Sequence, residues 1–195
     1  DLVPIVIDDE WIEKIKAKQP EFRDEKLERY KKEFDIPQYD AEILTESKHM
    51  ADIFEETTAI CGKPKKVSNW LMVETMRLLK EHGMEPEDIS FSPANLAKLI
   101  GLTEAGTINS SVAKEVFEQV FEKDVDPESY VEEHGLKTVN DEGALEEVLK
   151  EIIAKNPKAI ADYKGGKEKA LGALVGQTMK AMKGKANPGM VNKML

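Results

Sequence analysis

Residues 108–121 read INSSVAKEVFEQVF, and this stretch decides the fold. Its apolar side chains recur every three or four residues, at Ile108, Val112, Val116, Phe117, Val120 and Phe121. This is the spacing of one face of an α-helix, whereas the side chains of a half-buried strand would alternate with period two. The sequence therefore predicts a strongly amphipathic helix in the middle of the chain.

Helix signals of the same kind precede and follow this stretch. Capping residues, or prolines suited to a first helical turn, stand before each apolar repeat. In the first 138 residues the expected helix starts are Asp8 or Asp9, Asp24, Thr45, Pro64, Ser92 with Pro93, and Asp126 with Pro127. The helix that begins at Pro64 should end at Gly83 and bury Val67, Trp70, Leu71, Glu74, Leu78 and Leu79.

The C-terminal part of the chain continues the helical pattern. The expected signals are a cap at Asp141, a stop at Asn156-Pro157, a break at Gly165-Gly166 and a last cap at Asn187-Pro188. Only residues 2–7 alternate as a strand would. We therefore predict an all-α fold, with a helical bundle domain over residues 1–138 and a small helical tail domain over residues 139–195. Residues 1–8 are expected to be a connection from an upstream domain, because Asp1 is not an initiator methionine.

Charge is distributed unevenly along the 195 residues. The chain has 28 Lys+Arg and 38 Asp+Glu, for a net charge of −10. From residue 157 onward there are eight lysines and two acidic residues, a net of +6, so residues 1–156 carry −16. An acidic body with a basic end is typical of a protein whose one end meets a polyanion, although a solvated lysine face has the same composition.

The composition also excludes several classes of protein. No apolar run approaches the roughly 20 residues that cross a bilayer, so we expect no membrane contact. Cys61 is the only cysteine, which excludes an intrachain disulfide and favours a cytoplasmic location. The histidines are far apart in sequence, and no lysine follows the glycine pattern of a phosphate-binding loop. We therefore predict no catalytic residue and no metal site.

The basic end contains one helix with two different faces. Leu171, Leu174, Val175, Thr178 and Met182 fall on one side, and Lys169, Lys180 and Lys183 fall on the other. Gly172 and Gly176 lie on or beside the lysine side, although a glycine inside a helix costs about 1 kcal/mol relative to alanine. Two interpretations stay open: a partner backbone approaches between the lysines, or another helix of the same domain packs against the glycines.

The residue types at this end favour phosphate contacts over base contacts. Residues 164–195 contain no aromatic side chain that could stack on bases, and no arginine follows Arg77. Lysine is a point charge suited to phosphates. The sequence thus favours a shape-directed contact with a structured RNA or a duplex.

Four stretches resemble a known family. They are DLVPIVIDDEWI at residues 1–12, SNWLMVE at 68–74, GTINSSVAKEVFEQVF at 106–121 and NPKAIADYKGGKEKALGALVGQTMKAMKGKANPGMVNKML at 156–195. Across its full length the chain is similar to the C-terminal region of GatB, one of the subunits of aspartyl/glutamyl-tRNA amidotransferase. The resemblance implies a helical domain followed by a YqeY-like tail domain that engages tRNA, while the catalytic cradle lies upstream.

The same resemblance implies partners and cofactors. These are tRNA(Gln) or tRNA(Asn), amidotransferase subunits A and C, and ATP with magnesium in the full-length complex but not in this part. Together with the charge pattern, it gives the candidate RNA-binding residues: Lys164, Lys167, Lys169, Gly172, Gly176, Lys180, Lys183, Lys185 and Asn187. The alternative is a protein-interaction or scaffolding module without direct contact to nucleic acid.

Overall fold

A computed structural model describes residues 8–138, 142–167, 169–182 and 184–195. The described residues form helices and connecting loops and include no strand, so the all-α prediction is confirmed. The predicted extended segment at residues 2–7 and the predicted cap Asp141 lie outside the described residues.

Before the predicted domain boundary, the described residues form nine α-helices. They are α1 (Asp9–Lys16), α2 (Arg23–Phe34), α3 (Gln38–Leu44), α4 (Lys48–Cys61), α5 (Pro64–Asn69), α6 (Met76–His82), α7 (Pro93–Glu104), α8 (Ser110–Lys123) and α9 (Pro127–Glu133). A π-helical segment (Trp70–Thr75) joins α5 directly to α6, and a short 3-10 turn (Pro86–Asp88) follows α6.

The predicted apolar face of α8 lies at the centre of the first hydrophobic cluster. Val116, Phe117 and Val120 are fully buried. The Phe117 ring lies 5.1 Å from the ring of Trp70 and 5.6 Å from that of Phe91. Phe117 is therefore a core residue, as predicted, and Trp70 is partly buried against the same cluster.

Two predicted helix starts are wrong. Thr45 does not begin a helix but follows the last residue of α3, where its hydroxyl donates to the carbonyl oxygen of Ala41 at 2.7 Å. Ser47 caps α4 instead, because its hydroxyl oxygen accepts from the Met50 N–H. Asp24 lies inside the first turn of α2, where a carboxylate interacts favourably with the helix dipole.

The π-helical segment changes which side chains face the core. One extra residue in a helical turn rotates the residues that follow it. Val73 is 50% exposed and Glu74 is only 5% exposed. The predicted continuous helix from Pro64 to Gly83 is thus confirmed, and it places a carboxylate inside rather than outside.

After the predicted boundary, the described residues form four helices: α10 (Glu142–Lys155), α11 (Pro157–Lys164), α12 (Lys169–Ala181) and α13 (Pro188–Met194). They pack on one another around a second cluster, whose fully or nearly fully buried members include Leu145, Leu149, Leu174, Ala186 and Val191. The apolar side chains therefore form two clusters, one on each side of residues 139–141. The division into two domains stays a prediction.

Candidate nucleic-acid interface

Helix α12 has one buried face and one exposed face. Leu174 and Thr178 are buried, and the Thr178 hydroxyl donates to the carbonyl oxygen of Leu174 at 2.9 Å. Leu171, Val175 and Met182 are half-buried around them. Because this side is covered by α10, α11 and α13, the opposite side of the helix faces outward.

The exposed face of α12 bears small side chains between two lysines. Lys169 and Lys180 are exposed, and so are Gly172 and Gly176 between them. A methyl group placed on either glycine would meet no other described atom within 4 Å. The interpretation that these glycines allow another helix of the same domain to pack closely is therefore wrong for the described part of the chain.

Ala173 belongs to the same exposed face, and the sequence reasoning missed it. We name the face formed by Lys169, Gly172, Ala173, Gly176 and Lys180 the basic face. Its two lysines are eleven residues apart, which corresponds to about 16 Å along the helix axis. The basic face is thus a smooth strip of exposed backbone with a cation at each end.

Lys164 and Lys167 lie on the loop that leads into α12. Both are exposed, as are Gly165 and Gly166. Lys167 Nζ lies 2.9 Å from Asp162 Oδ1. An exposed ion pair of this kind contributes at most about 1 kcal/mol, so Lys167 can exchange its partner for a phosphate at low cost.

The remaining candidates lie after α12. Lys185 is half-buried. Asn187 caps α13, because its side-chain oxygen accepts from the N–H groups of Gly189 and Met190. Its Oδ1 atom thus has a structural function already. Lys183 lies outside the described residues.

Two further features near the basic face were missed. Tyr163, at the end of α11, is 41% exposed and stands one residue before the segment that has no aromatic side chain. The amide groups of Asn156 and Gln177 form two reciprocal hydrogen bonds of 2.7 and 3.1 Å, which tie α12 to the junction of α10 and α11. The backbone of α12 is therefore held at its middle.

The basic residues of the N-terminal helices are paired instead. Lys65 is ion-paired with Asp35, and Glu104 lies 3.2 Å from Lys66 and 3.9 Å from Lys63. Acidic neighbours thus offset this group of lysines, and it is a weaker candidate for phosphate binding than the basic face.

The described residues offer little for other chemistry. They contain no group of three or more His, Cys, Asp or Glu side chains placed to hold a metal ion. Cys61 is a half-buried free thiol at the end of α4. None of the helices in the described part of the chain has both the length and the apolar character that crossing a bilayer requires.

An all-α chain that ends in an exposed basic helix belongs to the class of candidate RNA-binding proteins. Comparison with known proteins gives the family. A family model described as a GatB domain matches residues 52–195. A protein of Agathobacter rectalis is 70% identical over 195 residues, and one of Lachnospira eligens is 61% identical over 201 residues. Both relatives are named as the GatB subunit of aspartyl/glutamyl-tRNA(Asn/Gln) amidotransferase.

The alignments cover the whole of this chain but 41% and 42% of the two relatives. A third relative, from Lachnoclostridium phytofermentans, is 57% identical over 195 residues and bears the same name. The chain belongs to the GatB family, and it spans about two fifths of the length of the curated relatives it matches.

Proposed function

We propose that this chain is the tRNA-recognition part of the GatB subunit of a glutamine-dependent aspartyl/glutamyl-tRNA amidotransferase. Such an enzyme uses ATP to convert Glu-tRNA(Gln) or Asp-tRNA(Asn) to the amide form in the cytoplasm. The observation that carries the proposal is the open strip of Gly172, Ala173 and Gly176 between Lys169 and Lys180. The names of the relatives supply the substrate class.

The chemistry of the basic face suits the backbone of a folded RNA. Lysine ammonium groups attract phosphates without reading bases, and residues without long side chains let a sugar-phosphate backbone approach the helix. The minor groove of an A-form duplex is wide and shallow, so a smooth surface can lie along it. Recognition would therefore depend on RNA shape more than on sequence.

The charge of the remaining chain restricts where the RNA can lie. Residues 1–156 carry a net charge of −16, and residues 157–195 carry +6. The acidic part repels a polyanion, whereas the basic end attracts it. The RNA should therefore approach the chain from the side of α12, with Lys164, Lys167 and Lys185 as additional contacts around the basic face.

In this proposal the amide-forming chemistry takes place elsewhere in the whole enzyme. ATP, magnesium, and subunits A and C act on parts of the protein outside these residues, and the described residues present no group of side chains for a metal. The chain by itself should not form amide on mischarged tRNA when ATP and glutamine are supplied. Product formation above the level of a protein-free control would contradict the non-catalytic role.

The experiment that tests RNA binding is a salt titration with tRNA(Gln) and tRNA(Asn) transcripts. We expect log Kd to rise linearly with log salt concentration, by about 0.7 to 0.9 for each phosphate contacted. Lys169→Glu combined with Lys180→Glu should weaken binding at least about tenfold and lower the salt slope by roughly one unit for each lost contact.

A matched control keeps the net charge change the same. Lys32 and Lys80 are exposed lysines on α2 and α6, far from α12 in sequence. Lys32→Glu combined with Lys80→Glu should leave tRNA affinity close to that of the parent chain. Equal loss of affinity in the two double variants would show a general charge effect and sink the assignment of the basic face.

The same open strip could instead accept a helix of a protein partner, which is the alternative function. Small residues allow two helices to approach closely. That complex would be insensitive to salt, and Gly172→Leu would impair it while tRNA affinity stayed at background. Absence of salt-dependent tRNA binding together with such a complex would favour the protein-interaction module.

A further inference from the structure

The two hydrophobic clusters are joined by an unusual use of one asparagine side chain. Asn109 precedes α8, and its Oδ1 atom accepts hydrogen bonds from the N–H groups of Ser111 and Val112, each at 3.0 Å. Its Nδ2 atom donates to the carbonyl oxygens of Gly184 and Ala186, the latter at 3.3 Å. One side chain therefore caps a helix of the N-terminal cluster and binds the backbone of the C-terminal one.

This arrangement uses both ends of the amide group. An amide provides two N–H donors and one acceptor oxygen, and its orientation follows from the partners. The reverse orientation would place the oxygen of Asn109 against two carbonyl oxygens. Serine, threonine or aspartate would cap α8 as well as asparagine does. Capping alone therefore does not explain the amide.

The backbone segment that Asn109 binds is itself rigidly placed. Gly184 and Ala186 lie between α12 and α13, and Ala186 is fully buried in the C-terminal cluster. Asn187, the next residue, caps α13. A hydrogen bond to this segment therefore holds both α12 and α13, and it cannot be absorbed by movement of a loose loop.

Among the described residues, few other contacts fasten the junction. The Thr138 N–H donates to the carbonyl oxygen of Thr107 at 2.8 Å, close to where the chain leaves the N-terminal cluster. A groove of about 310 Å³ lies at the junction between α8 and the residues after α12, lined by residues that include Ile108, Met179 and Pro188. Because side chains do not fill this space, hydrogen bonds rather than apolar packing define the angle between the two parts.

We propose that Asn109 is a positioning residue that fixes the orientation of α12 and α13, and with them the basic face, relative to α8. Without its two donated hydrogen bonds, the C-terminal helices remain folded but sample many orientations. The consequence for RNA, that the basic face is presented at one angle to the N-terminal helices, rests on the proposed function. The positioning itself does not.

The test measures a distance across the junction by pulsed electron spin resonance. Spin labels are attached at Glu122→Cys on α8 and Asn192→Cys on α13, both exposed, in a chain whose native thiol is removed by Cys61→Ser. The parent should give one narrow distance distribution. Asn109→Asp keeps the helix cap but places a carboxylate against two carbonyl oxygens, so the narrow distribution should be lost.

Two further variants separate positioning from general effects. Asn109→Ser keeps the cap, removes the two donors and adds no charge, so it should also broaden the distribution. Asn69→Asp adds the same charge at an exposed residue of α5 and should leave the distribution unchanged. Circular dichroism should show parental helix content in all three.

A narrow distribution at the parental distance in both Asn109→Asp and Asn109→Ser would overturn the proposal. Because the measurement contains no RNA, this result would leave the tRNA-binding proposal intact. Conversely, loss of RNA binding in the lysine variants leaves the distance measurement unaffected, so the two proposals fail separately.

Discussion

At the scale of single residues, Gly172 and Gly176 are unfavourable for the helix that contains them. Glycine in a helix interior is about 1 kcal/mol less favourable than alanine, and nothing described lies within 4 Å of an added methyl group at either position. Gly172→Ala and Gly176→Ala should therefore each raise the free energy of unfolding of the C-terminal helices by about 0.5 to 1 kcal/mol. If a backbone approaches here, the same changes should weaken tRNA binding.

Gly101 provides the matched control for this prediction. It lies within α7, is exposed, and has equally open space around an added methyl group. Gly101→Ala should stabilise its helix by a similar amount, measured by urea unfolding, and leave tRNA affinity unchanged. If the α12 variants gained stability and bound tRNA as tightly as the parent, close approach at the basic face would be ruled out.

Glu74 shows how one turn of π-helix creates a buried charge. Burial opposes its ionisation, but hydrogen bonds from Lys114 at 2.7 Å and from Arg77 at 3.3 Å outweigh burial and hold the pKa of Glu74 below its ordinary value. Glu74→Gln should lower the free energy of unfolding at pH 7 by about 1 to 3 kcal/mol, because both cations lose their charged partner.

Glu81→Gln is the comparison for Glu74. Glu81 is an exposed partner of the same Arg77, at 2.8 Å. Its replacement should change the free energy of unfolding by less than about 0.5 kcal/mol in the same urea titration. Equal effects of the two substitutions would show that the inward rotation of Glu74 has no energetic consequence.

At the scale of secondary-structure elements, α13 depends on a single cap. Asn187 Oδ1 lies 2.9 Å from the N–H of Gly189, and the helix has only seven residues. Asn187→Ala should cost about 1 kcal/mol and increase hydrogen exchange in α13, whereas Asn187→Asp should keep the cap. Weaker tRNA binding by Asn187→Asp at unchanged stability would show that this residue also faces the RNA. Equal hydrogen exchange in the alanine variant and the parent would exclude the capping role.

Elements with repeated apolar spacing could be predicted from the sequence, and short elements could not. Helix α8 has six apolar residues in helical register, whereas α3 has seven residues and buries only Ala41 and Leu44. A pattern needs about two turns to be distinguishable from chance. The π-helical segment depends on packing between distant residues, so local sequence does not reveal it.

The candidate site was predictable to the extent that its residues are unusual. Glycines inside a helix demand an explanation, but Ala173 is an ordinary helix residue and gives no signal. Asn109 is accounted for by its cap alone, and its second pair of partners lies 75 and 77 residues further along the chain. Only the folded chain brings these groups together.

At the scale of the whole molecule, carboxylates in several ion pairs make the stability of the N-terminal helices depend on acid. The pKa values of Glu21, Glu55, Glu74 and Asp126 all lie below their ordinary values. For Asp126, the hydrogen bond from Lys98 and then that from the Ser129 N–H lower the pKa to about 2. Protonation of these groups therefore favours the unfolded chain.

The sign of the pH dependence follows from the lowered pKa values. In the unfolded chain these carboxylates bind protons near pH 4, and in the folded chain they do so only at lower pH. Their contribution to stability is therefore complete above about pH 5 and is lost as the pH falls through 4 toward 2. The free energy of unfolding, measured by urea titration, should decrease steadily across this range.

Asp126→Asn separates the charge of this residue from its role as the cap of α9. Asparagine caps a helix as well as aspartate does, so the variant loses only the ion pair with Lys98. Because both side chains are about a third exposed or more, solvent screening limits the expected loss at pH 7 to about 1 kcal/mol. The difference between variant and parent should shrink below pH 4 and vanish near pH 2, where Asp126 becomes protonated in the folded chain as well. A difference that stays constant from pH 7 to pH 2 would mean that the Lys98–Asp126 pair does not stabilise the fold.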